Sequence, residues 1–170
     1  AAKEAVSHAA ALSLARHHGL AAELTRKGVV PGEAMAPYVD RIDEFSRVTT
    51  GADWHEILIT SYVTSGLLND FFLRLAGGFS GDVAERLRAI YSSDDGHELL
   101  VGQLREAIEQ DPPVASRLAM WGRRLVGDTL LIARSVVFRI GESDEARLEP
   151  VFTELIAAHT RRMDALGLTA

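Results

Sequence analysis

The sequence predicts an all-α protein, a bundle of long antiparallel helices joined by short turns. Apolar residues recur at steps of three and four along almost all of the 170 residues, the spacing of one helix face. The apolar runs 57–59 and 136–138 are short and lie inside such helical patterns. The Asp-Gly pair at 95–96 also lies inside a helical pattern, so it does not predict a β-hairpin.

Capping residues and helix breakers define the ends of the predicted helices. Gly28 ends the first helix, and Asp53 with Glu56 forms a capping box that opens the third. The Pro112-Pro113 pair separates the fourth helix from the fifth, because a helix cannot easily continue into two prolines. The predicted helices cover about residues 3–27, 33–48, 53–76, 80–110, 113–140 and 144–167.

Length and composition predict one globular domain spanning residues 1–170. Hydrophobic residues make up 47% of the chain and charged residues 25%, the balance of a soluble protein with a sizeable core. No apolar run approaches the roughly 20 residues that span a bilayer, so no membrane partner is expected. No secretion signal opens the chain, and a cytoplasmic location is therefore predicted.

Charge and cysteine content exclude several classes of function. The net charge of −6 argues against a non-specific grip on nucleic-acid phosphates. The chain has no cysteine, which excludes disulfides, zinc knuckles, iron–sulfur clusters and thiol nucleophiles. A metal ion would therefore need carboxylate and histidine ligands, which suit iron or manganese.

Asp94 and His97 occupy positions of an apolar seam where leucine is expected. A buried, unpaired carboxylate costs several kcal/mol, so a cation, a hydrogen-bond network or a metal must satisfy it. Gly96 between them costs roughly 1 kcal/mol of helix propensity, and such a glycine often indicates close helix approach. This pair is the leading candidate for a functional site. The seam consists of Leu87, Ile90, Asp94, His97, Val101, Leu104 and Ile108.

Three other predicted helices also carry a polar residue on an apolar face. Asp70 lies on the face of the third helix, Asp128 on that of the fifth and His17 on that of the first. A bundle that offers carboxylates and histidines from several inward faces has the layout of carboxylate-bridged metal sites. A histidine such as His17, beside His18, is more often an ordinary surface or core residue.

Both aspartates also have a purely structural interpretation. Asp70 has Arg74 at the i,i+4 spacing of a helical ion pair. Asp128 has Arg124 or Arg134 as a partner on its own helix. The sequence is compatible both with these ion pairs and with a metal site.

Several segments in order resemble the bacterial ferritin-like proteins related to the tRNA hydroxylase MiaE. They are the stretch 53–72, which ends in Asn-Asp-Phe-Phe, the Asp-Asp-Gly-His of 94–97 and the Leu-Ala-Met-Trp-Gly-Arg-Arg-Leu of 118–125. The ending 159–167 is similar to the close of the actinobacterial branch of that group. The resemblance covers most of the chain from Gly28 onward and implies a ferritin-like four-helix bundle with additional helices.

The resemblance implies a non-haem di-iron centre and a set of ligands for it. Asp70 matches the lone carboxylate of one core helix, and Asp94 with His97 matches an E-x-x-H motif in which Asp replaces Glu. His17 matches the histidine of the other E-x-x-H, where Leu14 stands in place of the glutamate. The family's first core helix would lie upstream of residue 1, so the implied site is partial. The candidate metal ligands are Asp70, Asp94, His97 and His17.

Three functions follow from these residues and the resemblance. The first is a non-haem iron oxygenase or hydroxylase, with iron, a di-iron pair or manganese, whose tRNA substrate is implied by the resemblance alone. The second is a metal-free helical scaffold that has lost catalysis and acts by association. The third is a metal-binding or storage bundle without oxygenase turnover. A homodimer is expected, because a partner or an upstream helix must cover the remaining apolar surface.

Overall fold

The computed structural model describes residues 2–79, 81–140 and 145–170, with side chains for 2–79, 81–135 and 149–170. The described chain is helical and contains no strand, which confirms the all-α prediction. No helix in these ranges is long and apolar enough to cross a membrane. The helices are α1 (Ala2–Arg26), α2 (Pro31–Met35), a 3₁₀ turn (Ala36–Tyr38), α3 (Val39–Thr49), α4 (Trp54–Ala76), α5 (Gly81–Tyr91), α6 (His97–Gln110), α7 (Pro112–Ile140) and α8 (Glu145–Ala165).

Helix α4 lies in the middle of the bundle and contacts α5, α6, α7 and α8. Helix α7 runs parallel to α4. Arg117 of α7 pairs with Asp53 near the N-termini of both helices. Further along both helices, Trp121 of α7 donates to Thr60 Oγ1 of α4 at 2.8 Å. The core is built from the inward faces of these helices, and its largest fully buried side chains include Ile59, Leu67, Phe71, Leu104, Leu118, Leu125, Leu155 and Met163.

Helix α8 runs antiparallel to α4 and covers its central turns. Its C-terminal part lies beside Tyr62, whose hydroxyl donates to the backbone carbonyl of Arg162 at 3.1 Å. Towards the other end, Glu154 pairs with Arg74. The predicted Asp70–Arg74 pair is therefore wrong, because Arg74 reaches across to α8 instead.

Helix α1 packs on α5 and α6 rather than on α4. Glu23 is buried and accepts two hydrogen bonds from Arg86 Nε, at 2.9 and 3.0 Å. At the other end of the contact, Ala9 is buried against Gly96. The 25-residue helix is therefore attached along one side only.

The single helix predicted over 80–110 is wrong, because the chain turns between α5 and α6. Helix α5 ends at Tyr91, and Gly96, the N-cap of α6, has a φ of +74°, a left-handed conformation that favours glycine. A Cβ at Gly96 would lie 2.7 Å from the Cα of Ala9, so the glycine also permits the close approach of α1. The close helix approach expected of this glycine is confirmed, whereas the continuous seam through Asp94 is not.

The single helix predicted over 33–48 is wrong, because the chain forms a 3₁₀ turn over Ala36–Tyr38, where Pro37 has no N–H to donate, and this turn separates α2 from α3. The capping box predicted at the start of α4 is confirmed. Asp53 Oδ1 accepts from the N–H groups of His55 and Glu56, and Glu56 Oε2 accepts from Ala52 N–H at 2.8 Å. The predicted start at residue 80 and the helix limits predicted at 141 and 144 lie outside the described residues.

Candidate functional site: a polar centre between α4, α6 and α8

Asp70 and Arg162 form an ion pair in the middle of the bundle. Arg162 Nη2 lies 2.6 Å from Asp70 Oδ2 and also donates to the Gly66 carbonyl at 3.0 Å. Their side chains are 28% and 15% exposed, so the pair is largely shielded from solvent. Gly66 makes room for it, because a Cβ there would overlap Nε of Arg162.

His97 lies at the start of α6 against Tyr62 of α4. The two ring centroids are 4.2 Å apart with an interplanar angle of 33°. Burial lowers the pKa of His97, and the charges of Asp95, Arg162 and Asp70 act on it less strongly. Tyr62 contacts the His97 ring and also donates to the backbone carbonyl of Arg162, so His97 lies beside the Asp70–Arg162 pair. Burial favours its neutral imidazole.

His159 lies on α8 one turn before Arg162 and is 2% exposed. Neither of its ring nitrogens has a hydrogen-bond partner among the described residues, and the same holds for Arg162 Nη1. Burial and the positive charge of Arg162 lower the pKa of His159 to about 4. The imidazole is therefore neutral near pH 7.

Asp94 lies outside this centre, in the exposed turn between α5 and α6. Its Oδ1 accepts the N–H of Gly96 at 2.9 Å, which stabilises the turn. Asp94 also lines an open surface pocket of about 540 Å³ between α1 and α5. Within this pocket Arg16 donates to the Ser93 carbonyl at 3.2 Å and lies over the Tyr91 ring.

His17 is exposed on α1, with His18 as its aromatic neighbour at 5.8 Å between ring centroids. Of the four predicted ligands, the structure therefore brings together only Asp70 and His97. Within the described side chains, no group of three or more histidines and carboxylates could hold a metal ion. The arrangement does not fit an iron or manganese centre, and the metal role of these residues stays a prediction that metal analysis would test.

Comparison with known families places the chain in a family. The profile described as "Ferritin-like domain, actinomycetes" matches residues 1–145. The chain belongs to this family. The match confirms the ferritin-like bundle expected from the resemblance, at the level of the fold. No curated protein matches the chain.

Sequence reasoning missed Arg162 and His159 as members of the polar centre of this ferritin-like chain. They share a helical face with Leu155 and Leu166, which are buried. The test that singled out Asp94, a polar residue on an apolar seam, would have found both. Both lie in the segment 159–167, which carries the C-terminal part of the resemblance.

Asp128 has the structural role that its spacing predicted. Its carboxylate lies 3.7 Å from Nε of Arg124, four residues earlier on α7. The same Arg124 lies over the Trp121 ring and donates to the Val48 carbonyl. Asp128 is thus part of the contact between α3 and α7 rather than of the polar centre.

Proposed function

We propose that this ferritin-like chain is a helical scaffold that acts by association with a second copy of itself, rather than by metal-centred catalysis. The observation that carries the proposal is the bare face of α1. Of its 25 residues only Ala9 and Glu23 are buried, although the sequence places Ala10, Leu14, Ala21 and Leu24 on one face together with His17. Ala10, Leu14 and His17 of that face are exposed.

The bare face is suited to close contact between two identical helices. Residues 9–15 carry no charge and are Ala, Leu and Ser, so two α1 helices can approach without burying an ion. Leu14, near the C-terminal end of this stretch, is 54% exposed. A two-fold contact would place the same residues on both sides, the arrangement of most homodimers.

Light scattering coupled to size-exclusion chromatography tests the association. We expect a dimer at micromolar concentration and a monomer for Leu14→Glu, because the substitution places two carboxylates in an apolar contact. Leu131→Glu is the matched control, since Leu131 is 67% exposed on α7, away from α1. A native chain that stays monomeric, or equal dissociation by both variants, would contradict the proposal.

A second candidate function is iron or manganese binding, with hydroxylase chemistry, as the resemblance implies. It is favoured by Asp70 and His97 lying in one polar centre, beside a buried imidazole that lacks a partner. Elemental analysis of the purified chain and of His97→Ala tests it. Iron or manganese that is bound to the native chain and lost in the variant would favour this candidate over the scaffold. A tRNA substrate has no support beyond the resemblance.

A further inference from the structure

The polar centre contains its own cation. Among the described residues of this centre, the Asp70 carboxylate has a direct ionic partner. That partner is the Arg162 guanidinium. We infer that Arg162 is the resident cation of this centre and that, by occupying it, the side chain closes the centre to a divalent metal ion. The inference concerns the inside of the bundle and is independent of the association proposed for α1.

The groups that fix Arg162 in place all lie on α4. Gly66 of α4 leaves the space that Nε fills, and its carbonyl together with the Asp70 carboxylate accepts from Nη2. One turn earlier on α4, the Tyr62 hydroxyl donates a hydrogen bond to the backbone carbonyl of Arg162. Side chain and backbone are therefore both fixed opposite the carboxylate.

A guanidinium also differs chemically from a metal ion in this position. It keeps its charge at every pH at which proteins fold, so Asp70 stays neutralised without any metal supply. A dication beside it would be repelled at short range, in surroundings less polar than water. It would also need the carboxylate that Arg162 already holds. The imidazoles of half-buried His97 and buried His159 are then left as neutral groups.

Cobalt(II) titration followed by visible absorption tests the closure. The variants are Arg162→Gln, its matched control Arg161→Gln on the exposed next position, and the double variant Asp70→Asn/Arg162→Gln. We expect at least tenfold tighter cobalt binding by Arg162→Gln than by the native chain or Arg161→Gln. The double variant should lose that gain, because the carboxylate is the ligand that the substitution frees.

Two results would overturn the inference. One is a folded Arg162→Gln variant that binds cobalt no better than the native chain. The other is native chain that binds cobalt as tightly as Arg162→Gln and loses this binding in Asp70→Asn. Should Arg162→Gln fail to fold, judged by circular dichroism, the native chain and Asp70→Asn still decide. Adding cobalt or a chelator should then shift the melting temperatures of these two proteins equally. A shift that is present in the native chain and absent in Asp70→Asn would overturn the inference.

Discussion

Asp70 and Asp94 occupy similar positions in the sequence and opposite environments in the structure. Both interrupt an apolar seam, and both match carboxylates of the same implied site. Asp70 lies on an unbroken helix beneath α8 and pairs with Arg162. Asp94 lies in a turn, exposed to solvent, and accepts a backbone N–H. A polar residue on a seam thus enters the interior only where a further helix covers that seam.

The same difference separates the two halves of the bundle. Helices α4 and α8 meet through fully buried side chains such as Ile59, Leu155 and Met163. Helix α1 meets α5 and α6 at a few close points, among them Gly96 with Ala9. Substitutions in the two regions should therefore differ in the size of the stability loss and in its physical cause.

Gly96→Ala should give the largest loss of stability, about 4 kcal/mol. A left-handed backbone costs a non-glycine residue about 1–2 kcal/mol, and forced overpacking costs about 1–3 kcal/mol. Both apply here, because φ is +74° and the new Cβ would lie 2.7 Å from Ala9 Cα. Urea denaturation followed by circular dichroism measures the loss.

Gly81→Ala is the matched control for the packing contribution. Gly81 has a φ of +63°, but a Cβ there would meet no atom within 4 Å. We expect a loss of only about 1–2 kcal/mol from the backbone conformation. Equal losses for the two variants would mean that the close approach of α1 contributes nothing.

Acid should weaken the α4–α8 region through His159 by about 3 kcal/mol. Its pKa is about 4 in the folded chain against a reference of 6.5, so the unfolded chain binds the proton first as the pH falls. His159 is neutral in both states well above pH 6.5, and the free energy of unfolding falls as the pH drops from 6.5 to 4. Denaturation midpoints measured across that interval should fall.

His159→Gln removes the titrating group and should flatten the dependence in the same pH interval, whatever its own effect on stability. An unchanged pH profile in the variant would assign the acid sensitivity to other groups.

Much of the fold was predictable from sequence, because helix periodicity and caps are local properties. The capping box at Asp53 and Glu56 is confirmed, and the described ends of α1, α4 and α7 fall within two residues of their predicted positions. The breaks inside the predicted helices 33–48 and 80–110 were not predicted. The turn before α6 was missed because residues 92–96 keep the spacing of the seam. Periodicity cannot reveal the φ of Gly96.

The polar centre was less predictable, because its pairing is not local. Arg162 and Asp70 are 92 residues apart, and no spacing rule indicates that α8 will lie on α4. Arg74, four residues away, was the partner that local reasoning favoured. Only the packing of the bundle decides between the two.

Gly66→Ala should cost about 2 kcal/mol, because a Cβ would overlap Nε of Arg162 and displace the ion pair. The matched control is Gly102→Ala on α6, where a Cβ would meet nothing within 4 Å. That change should stabilise the helix by about 0.5–1 kcal/mol, since alanine restricts the unfolded chain. A loss of stability for Gly66→Ala together with a gain for Gly102→Ala would locate the loss at the Arg162 contact. Stability changes of the same sign for both variants would contradict that assignment.

Asp94→Ala should have the smallest effect, about 0.5–1 kcal/mol, because it removes one side-chain hydrogen bond to the backbone of an exposed turn. Its contribution is local, so the loss should leave the Asp70–Arg162 pair untouched. A metal ligand would behave differently, since its removal would change bound iron or manganese as well as stability. Thermal denaturation and elemental analysis of Asp94→Ala therefore distinguish the two roles. A small loss with no change in metal content would leave Asp94 as a turn residue, whereas reduced metal content would return it to the ligand set beside Asp70.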